Sequence, residues 1–150
     1  MLYDRLSYTV VEQTSLDTSV AGKWFNMEDL SEKAVEIKEA YVKGDLELTA
    51  PMHMIYEVGN SIWKNPQLTE ADASNAVASL LQLSLQLLEP TAERASRAIE
   101  IARSSNITFY DAVYLQTAEE LNIALVTDDR TQITAGKDIA NVISLQEVKL

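Results

Sequence analysis

The sequence predicts an α/β fold: a mostly parallel central sheet of four to five strands, covered by helices. Three observations lead there. Segments with helical spacing alternate along the chain with short apolar runs. One run, Ile123-Ala124-Leu125-Val126, contains no polar residue, as expected of a strand buried on both faces of a parallel sheet. It opens directly onto Thr127-Asp128-Asp129, and the carboxyl ends of such strands are where α/β sheets bind ligands.

Composition narrows the function. At 150 residues and 47% hydrophobic content, residues 1–150 fit one domain that can bury a core without disulfides or structural metal. Cysteine is absent, which excludes thiolate metal sites and cysteine nucleophiles and gives no sign of an oxidising compartment. The single histidine, His53, excludes a catalytic histidine pair and any zinc site needing more than one imidazole. The opening MLYDRLSYTV lacks the apolar core of a signal peptide, and the longest apolar-rich run, Ala78 to Leu88, is broken by Ser79, Gln82, Ser84 and Gln86. A soluble, cytoplasmic protein without a membrane partner is expected. Twelve Lys and Arg against 23 Asp and Glu give a net charge of −11, which opposes non-specific binding of nucleic acid over the whole surface. Clustered basic residues or bound divalent cations would invert that field locally.

In chain order, Tyr8 to Leu16 reads as a first strand through Val10 and Val11, although Glu12, Gln13, Thr14 and Ser15 are unusual in a central one and leave its register open. Asp17-Thr18-Ser19 precedes a short helix over Val20 to Phe25, with Asp17 or Thr18 as N-cap. Asp29 and Glu32 form a capping box for a helix carrying Leu30, Ala34, Ile37 and Tyr41 inward, closed by Gly44. Leu46 to Thr49 alternates as a strand, and Pro51 suits the first turn of the helix that follows, Met52 to about Lys64. Its buried stripe is Ile55, Val58, Gly59 and Ile62, with Trp63 at the border. Glu57 lies nearly opposite, facing water or a polar cleft, with His53 at the surface.

Thr69 and Asp72 are a second capping box, for a helix through Ala73, Ala76, Val77 and Leu80. Leu83 to Leu87 then alternates strictly, as a strand or as a continued helix, until Pro90 ends it. From Thr91 another helix turns Ala95, Ala98, Ile99 and Ala102 inward. Glu93, Arg94, Arg97 and Arg103 face outward, as a solvated edge or a polyanion contact. A third box, Thr108 and Asp111, starts a helix near Phe109 that ends near Asn122. After the Ile123–Val126 strand come one or two helical turns over Arg130 to Ala135 and an edge strand over Asn141 to Leu145.

Asp17 and Asp129 follow strands that share one sheet edge, and Asp111 reaches that edge only if its helix starts there. Asp17 is read equally as a helix cap. Carboxylates brought within ~4 Å repel by about 4 kcal/mol per pair at an effective dielectric of roughly 20, so such a cluster must take up protons or cations. Oxygen donors without sulfur or imidazole select Mg²⁺ or Mn²⁺, and ions of that kind serve phosphodiester hydrolysis.

The ordered set Asp17-Thr18-Ser19, Ile55-Tyr56-Glu57-Val58-Gly59-Asn60, Thr108-Phe109-Tyr110-Asp111-Ala112 and Val126-Thr127-Asp128-Asp129 resembles a PIN domain, in particular the short VapC-like toxins of prokaryotic toxin–antitoxin pairs. The resemblance covers nearly the whole chain. It implies a three-layer α/β/α fold and a metal-dependent endoribonuclease acting on RNA. By position it assigns Asp17, Glu57, Asp111 and Asp129 to metal binding and catalysis, and Ser19, Asn60 and Thr127 to supporting them. It further implies Mg²⁺ or Mn²⁺, a homodimer, and inhibition by a cognate antitoxin inserted at the acidic groove. A PIN-like scaffold without chemistry and a PIN nuclease of RNA processing without an antitoxin are the alternatives. A receiver domain fits less well, because its acid pair belongs early in the chain and Asp128-Asp129 comes late.

Overall fold

The computed structural model describes residues 12–150. It contains five strands, all parallel to their neighbours: β1 (Glu12–Leu16), β2 (Leu46–Pro51), β3 (Gln86–Leu88), β4 (Ala124–Thr127) and β5 (Val142–Ser144), in the order β3-β2-β1-β4-β5. The helices are α1 (Thr18–Ala21), α2 (Ser31–Lys43), α3 (Met54–Trp63), α4 (Glu70–Gln82), α5 (Ala92–Ser105), α6 (Phe109–Leu121) and α7 (Arg130–Gly136), with 3₁₀ turns over Gly22–Trp24 and Leu145–Glu147. This is the predicted α/β/α architecture. Strand order reverses beside β1, so right-handed crossovers put the helices preceding β2 and β3 on one face and those preceding β4 and β5 on the other. The reversal opens a crevice above the carboxyl ends of β1 and β4, where parallel sheets bind ligands.

The central strand is the polar one. Glu12 and Gln13 are tolerated because they sit at its exposed start, where the Gln13 amide donates to Glu47 on β2 at 2.9 Å. Thr14, Ser15 and Leu16 are buried. The earlier part of the expected strand, residues 8–11, lies outside the described residues. Leu16, Leu48, Leu125, Ile37, Ile101 and Leu115 fill the core between sheet and helices.

Local chemistry explains most boundaries. The Thr69/Asp72 box forms in both directions, at 3.1 Å each way. Thr108 and Thr91 each cap through their hydroxyls, and Gly44 closes α2 at φ 83°, a conformation glycine adopts without strain. The Asp29/Glu32 box is a correction: α2 begins at Ser31 after Leu30, with no side-chain cap. The turn is instead tied by Ser31, whose Oγ accepts from the Glu28 amide and donates to the Asn26 carbonyl.

Other departures follow from packing that periodicity does not contain. Pro51 ends β2 rather than starting a helix, in register with Leu88 at the sheet's end. Met54 joins Val58 and Ile62 on the buried stripe of α3, while Ile55 and Gly59 are half-buried and Trp63 is 66% exposed. The alternating Leu83–Leu87 stretch is split between a helix end and a strand: α4 runs to Gln82, Ser84 turns at positive φ, and β3 begins at Gln86. On α5 Ala98 is buried as expected, but Ile101 takes the inward place given to Ile99, which is 47% exposed. No helix among the described residues is long and apolar enough to cross a membrane.

Candidate active site

Asp17 follows β1 and caps α1, so one residue is both strand end and helix start. It is 3% exposed. Its Oδ1 accepts from the Ser19 amide at 3.0 Å and from Ser19 Oγ, and its Oδ2 accepts from Thr127 Oγ at the end of β4. Burial pushes the Asp17 carboxyl up to about 6, against those hydrogen bonds, and the nearby charge of Asp129 adds to the rise. The cap and ligand readings of Asp17 are therefore compatible, since capping uses Oδ1 alone.

Asp129 stands in the matching position after β4, where it caps α7 by accepting from the Thr131 amide at 2.8 Å. Its own amide donates to Thr127 Oγ at 3.0 Å. Thr127 thus hydrogen-bonds both to Asp17 and to the Asp129 backbone. Ser19 adds a second tie, accepting from the Asp128 amide at 2.8 Å while donating to Asp17.

Asp111 does reach this edge. Gln132 on α7, fully buried, donates from its amide to the Asp111 carbonyl at 3.0 Å, which seats the start of α6 against α7. Burial raises the Asp111 carboxyl above its ordinary value, followed by the charge of Asp129; Thr108 opposes the rise, and Glu57 contributes to it. Glu57 comes from the first turn of α3, held by Tyr114 on α6, whose hydroxyl donates to Glu57 Oε1 at 2.6 Å. Hydrogen bonds among Thr18, Glu57 and Tyr114 therefore tie α1, α3 and α6 together, and Gln132 seats α7 against the start of α6.

The predicted set is not all brought together. Ser19 and Thr127 touch Asp17 as described, but Asn60 is exposed and accepts from the Trp63 indole at 2.9 Å, on the outer side of α3. Asp128 turns away from its neighbour to pair with Lys23 Nζ at 3.0 Å. Lys23 is only 7% exposed and also pairs with Glu28 at 3.0 Å; burial alone would lower its pKa, and these two carboxylates raise it instead. His53 is half-buried, packed on the rings of Tyr110 and Tyr114. Burial holds it below its ordinary value, against Glu57 and the Tyr110 carbonyl. Because that carbonyl can only accept, the 3.1 Å contact makes Nε2 the protonated nitrogen.

Among the described residues, no three acid or imidazole side chains already sit in an arrangement that would hold a metal ion. The donor set still fits a hard divalent cation. Mg²⁺ keeps several waters and takes one or two protein carboxylates directly, and the carboxyls of Asp17 and Asp111, raised chiefly by burial and then by the charge of Asp129, are ones a nearby cation would favour in the ionised form. Sequence reasoning missed Thr18, Tyr114 and Lys23. Tyr114 had a signal: it lies three residues after Asp111, on the same helix face.

The five-stranded parallel sheet of this order sets the class of fold, and the chain belongs to the PIN domain family, whose model matches residues 15–137. Within that family it is VapC-like. It is 34% identical over 103 residues to Exonuclease VapC9 of Pyrobaculum aerophilum, covering 66% of this chain and 75% of that protein. It is 32% identical over 120 residues to Ribonuclease VapC3 of the same organism, covering 77% and 88%. Among solved structures, VapC20 of Mycobacterium tuberculosis, described as a sarcin-ricin loop cleaving toxin, superposes with a TM-score of 0.63 at 20% identity, covering 82% of this chain and 95% of that one. VapBC2 from Rickettsia felis, bound to a DNA fragment from its promoter, gives 0.64 at 12% identity, covering 88% and 98%. These two likenesses bear on the fold alone.

Proposed function

We propose that the protein is a Mg²⁺- or Mn²⁺-dependent endoribonuclease, the toxin of a toxin–antitoxin pair. The observation that supports this reading is the linkage among acids from four separate segments: Thr127 ties Asp17 to the Asp129 backbone, the charge of Asp129 raises both Asp17 and Asp111, and that of Glu57 adds to the rise at Asp111. A hard cation bound there supplies charge neutralisation at the scissile phosphate and acidifies water. The chain's own residues do the rest. Asp17 is fixed in its rotamer by Ser19 and Thr127, and Asp129 is fixed to the same threonine. Asp111 and Glu57 complete the set from the opposite side and orient the attacking water.

Two of the three arginines of α5 are already engaged by acidic or carbonyl partners. Arg97 is engaged by Glu119 and Glu100, and Arg94 by Glu120 and the Glu89 carbonyl. On this reading a cation bound by the acids would supply the positive charge for the RNA phosphate, against a net charge of −11 over the chain. The names of the two Pyrobaculum relatives, one an exonuclease and one a ribonuclease, leave the cut position to be tested. The antitoxin proposal draws on the VapC-named relatives and on the likeness of fold to VapBC2. The homodimer proposal has a face to use: Met52, Tyr56, Phe109 and Tyr110 are exposed around an apolar cavity of about 320 Å³.

The test is cleavage of linear and covalently circular RNA with Mg²⁺, with EDTA, and by Asp111→Asn. Cutting of the circle that needs Mg²⁺ and falls at least a hundredfold in the variant is expected. Activity indifferent to both perturbations removes the proposal, and cutting of the linear RNA alone makes the enzyme an exonuclease. The second reading, a PIN-like scaffold without chemistry, is favoured by the hydrogen bonds that already engage both carboxylate oxygens of Asp17. Calorimetry showing no divalent-ion binding would select it.

A further inference from the structure

We propose that Tyr114 and Thr18 are positioning residues that hold the Glu57 carboxylate by one oxygen and leave the other to the acid crevice. The inference rests on the reading above only in taking Glu57 as part of the ion site. Tyr114 is 1% exposed, and its hydroxyl lies 2.6 Å from Glu57 Oε1 and 2.8 Å from Thr18 Oγ. Thr18 Oγ in turn lies 3.2 Å from the same Glu57 oxygen.

Counting protons fixes most of this triangle. A carboxylate only accepts, so the single phenolic proton goes to Glu57 at the shorter distance. The threonine proton then goes either to the phenol oxygen, completing a chain from Thr18 through Tyr114 to Glu57, or to Glu57 directly. Either way Oε1 is the oxygen engaged. His53 Nε2, 3.4 Å away, also stands nearest Oε1. Among the described residues no hydrogen bond reaches Oε2.

The choice of donors matters as much as the geometry. An arginine or lysine here would orient Glu57 but cancel its charge. A phenol and a hydroxyl orient it and leave the full negative charge for a cation. The arrangement also links elements far apart in the chain: Thr18 follows Asp17 at the end of β1, Tyr114 is one turn beyond Asp111 on α6, and Glu57 is on α3. The residues that place Glu57 are thus neighbours of two other acids.

Tyr114→Phe removes the one oxygen and little else. Three readouts follow in the otherwise intact protein. A metal-free crystal structure of the variant is expected to show the Glu57 side chain turned out of its wild-type rotamer. Mg²⁺ titration by calorimetry is expected to show affinity weakened about tenfold, and RNA cleavage to show kcat lowered about tenfold with KM unchanged. Added to Glu57→Gln, the same substitution is expected to cost nothing further, because the group it positions is already disabled. Glu57 unmoved in the crystal, or an undiminished further loss in the Glu57→Gln background, overturns the proposal. If Tyr114→Phe fails to fold, Thr18→Val carries the same readouts. If the wild type neither binds Mg²⁺ nor cleaves RNA, the nuclease reading fails on its own. The crystal structure still decides the positioning role, with a turned Glu57 supporting it and an unmoved one ending it.

Discussion

Replacing Asp17 by Asn in the metal-free protein measures what it costs this fold to bury the charge of its own site. Asp17 is 3% exposed and its carboxyl is pushed up to about 6, chiefly by burial, from an ordinary 3.8. The folded state therefore holds this proton more tightly than the unfolded chain does. The contribution to stability is present at low pH and is lost as pH rises from 3.8 through about 6. Above that window the buried charge costs about 3 kcal/mol. Asparagine carries no charge at any pH. Its Oδ1 can accept from Ser19, and its Nδ2 faces Thr127; the weaker neutral hydrogen bonds offset about 1 kcal/mol of the gain. A net stabilisation of about 2 kcal/mol is expected at pH 7.5, or roughly 4–8 °C in Tm for a chain of this size. Melts of both proteins in EDTA at pH 7.5 and pH 4 provide the assay. Taking the difference between the proteins cancels Asp111 and His53, which titrate in both. The advantage of the variant should shrink by roughly 2 kcal/mol at pH 4, and excess Mg²⁺ at pH 7.5 should narrow it by stabilising the wild type alone. A variant no more stable than wild type at pH 7.5, or an advantage that grows on acidification, refutes the reasoning.

Lys23→Met keeps the buried stem but releases Asp128 and Glu28, whose side chains are partly exposed and can rehydrate, so the loss of stability should be only about 1 kcal/mol. Its larger effect is expected on Mg²⁺ affinity, because the loop carrying Asp129 loses its tether; unchanged calorimetric binding would count against that. Gly136→Ala would place a Cβ 2.8 Å from Leu115 Cδ2 and closer still to Val142, in the seat of α7, and should cost about 1–3 kcal/mol by urea denaturation. Arg97→Ala breaks pairs at a partly exposed guanidinium and should cost at most about 1 kcal/mol, diminishing with added salt, with RNA affinity unchanged. A salt-dependent drop in RNA binding for that variant would show the arginine doing more than pairing with Glu119.

What the sequence determined by itself is what acts over a few residues. Helical spacing, threonine caps at Thr69, Thr91 and Thr108, and the apolar strand before Thr127 are local, and they fixed element types, the parallel class and the order of the acids along the chain. The PIN resemblance then attached roles to Asp17, Glu57, Asp111 and Asp129. Where local signals competed, the Ser31 hydroxyl tied the turn in place of the Asp29 box, and pairing with Leu88, distant in sequence, drew Pro51 into β2. Tertiary structure alone decided which side chains meet. Thr127 reaches Asp17 across 110 positions, Tyr114 reaches Glu57 across 57, and Thr18 reaches Glu57 across 39. It also occupied Arg94 and Arg97 with glutamates of the next helix and raised the Asp17 pKa. The reason is that burial and charge act through space: a carboxylate's desolvation depends on what packs around it, and no window of neighbouring residues contains that information.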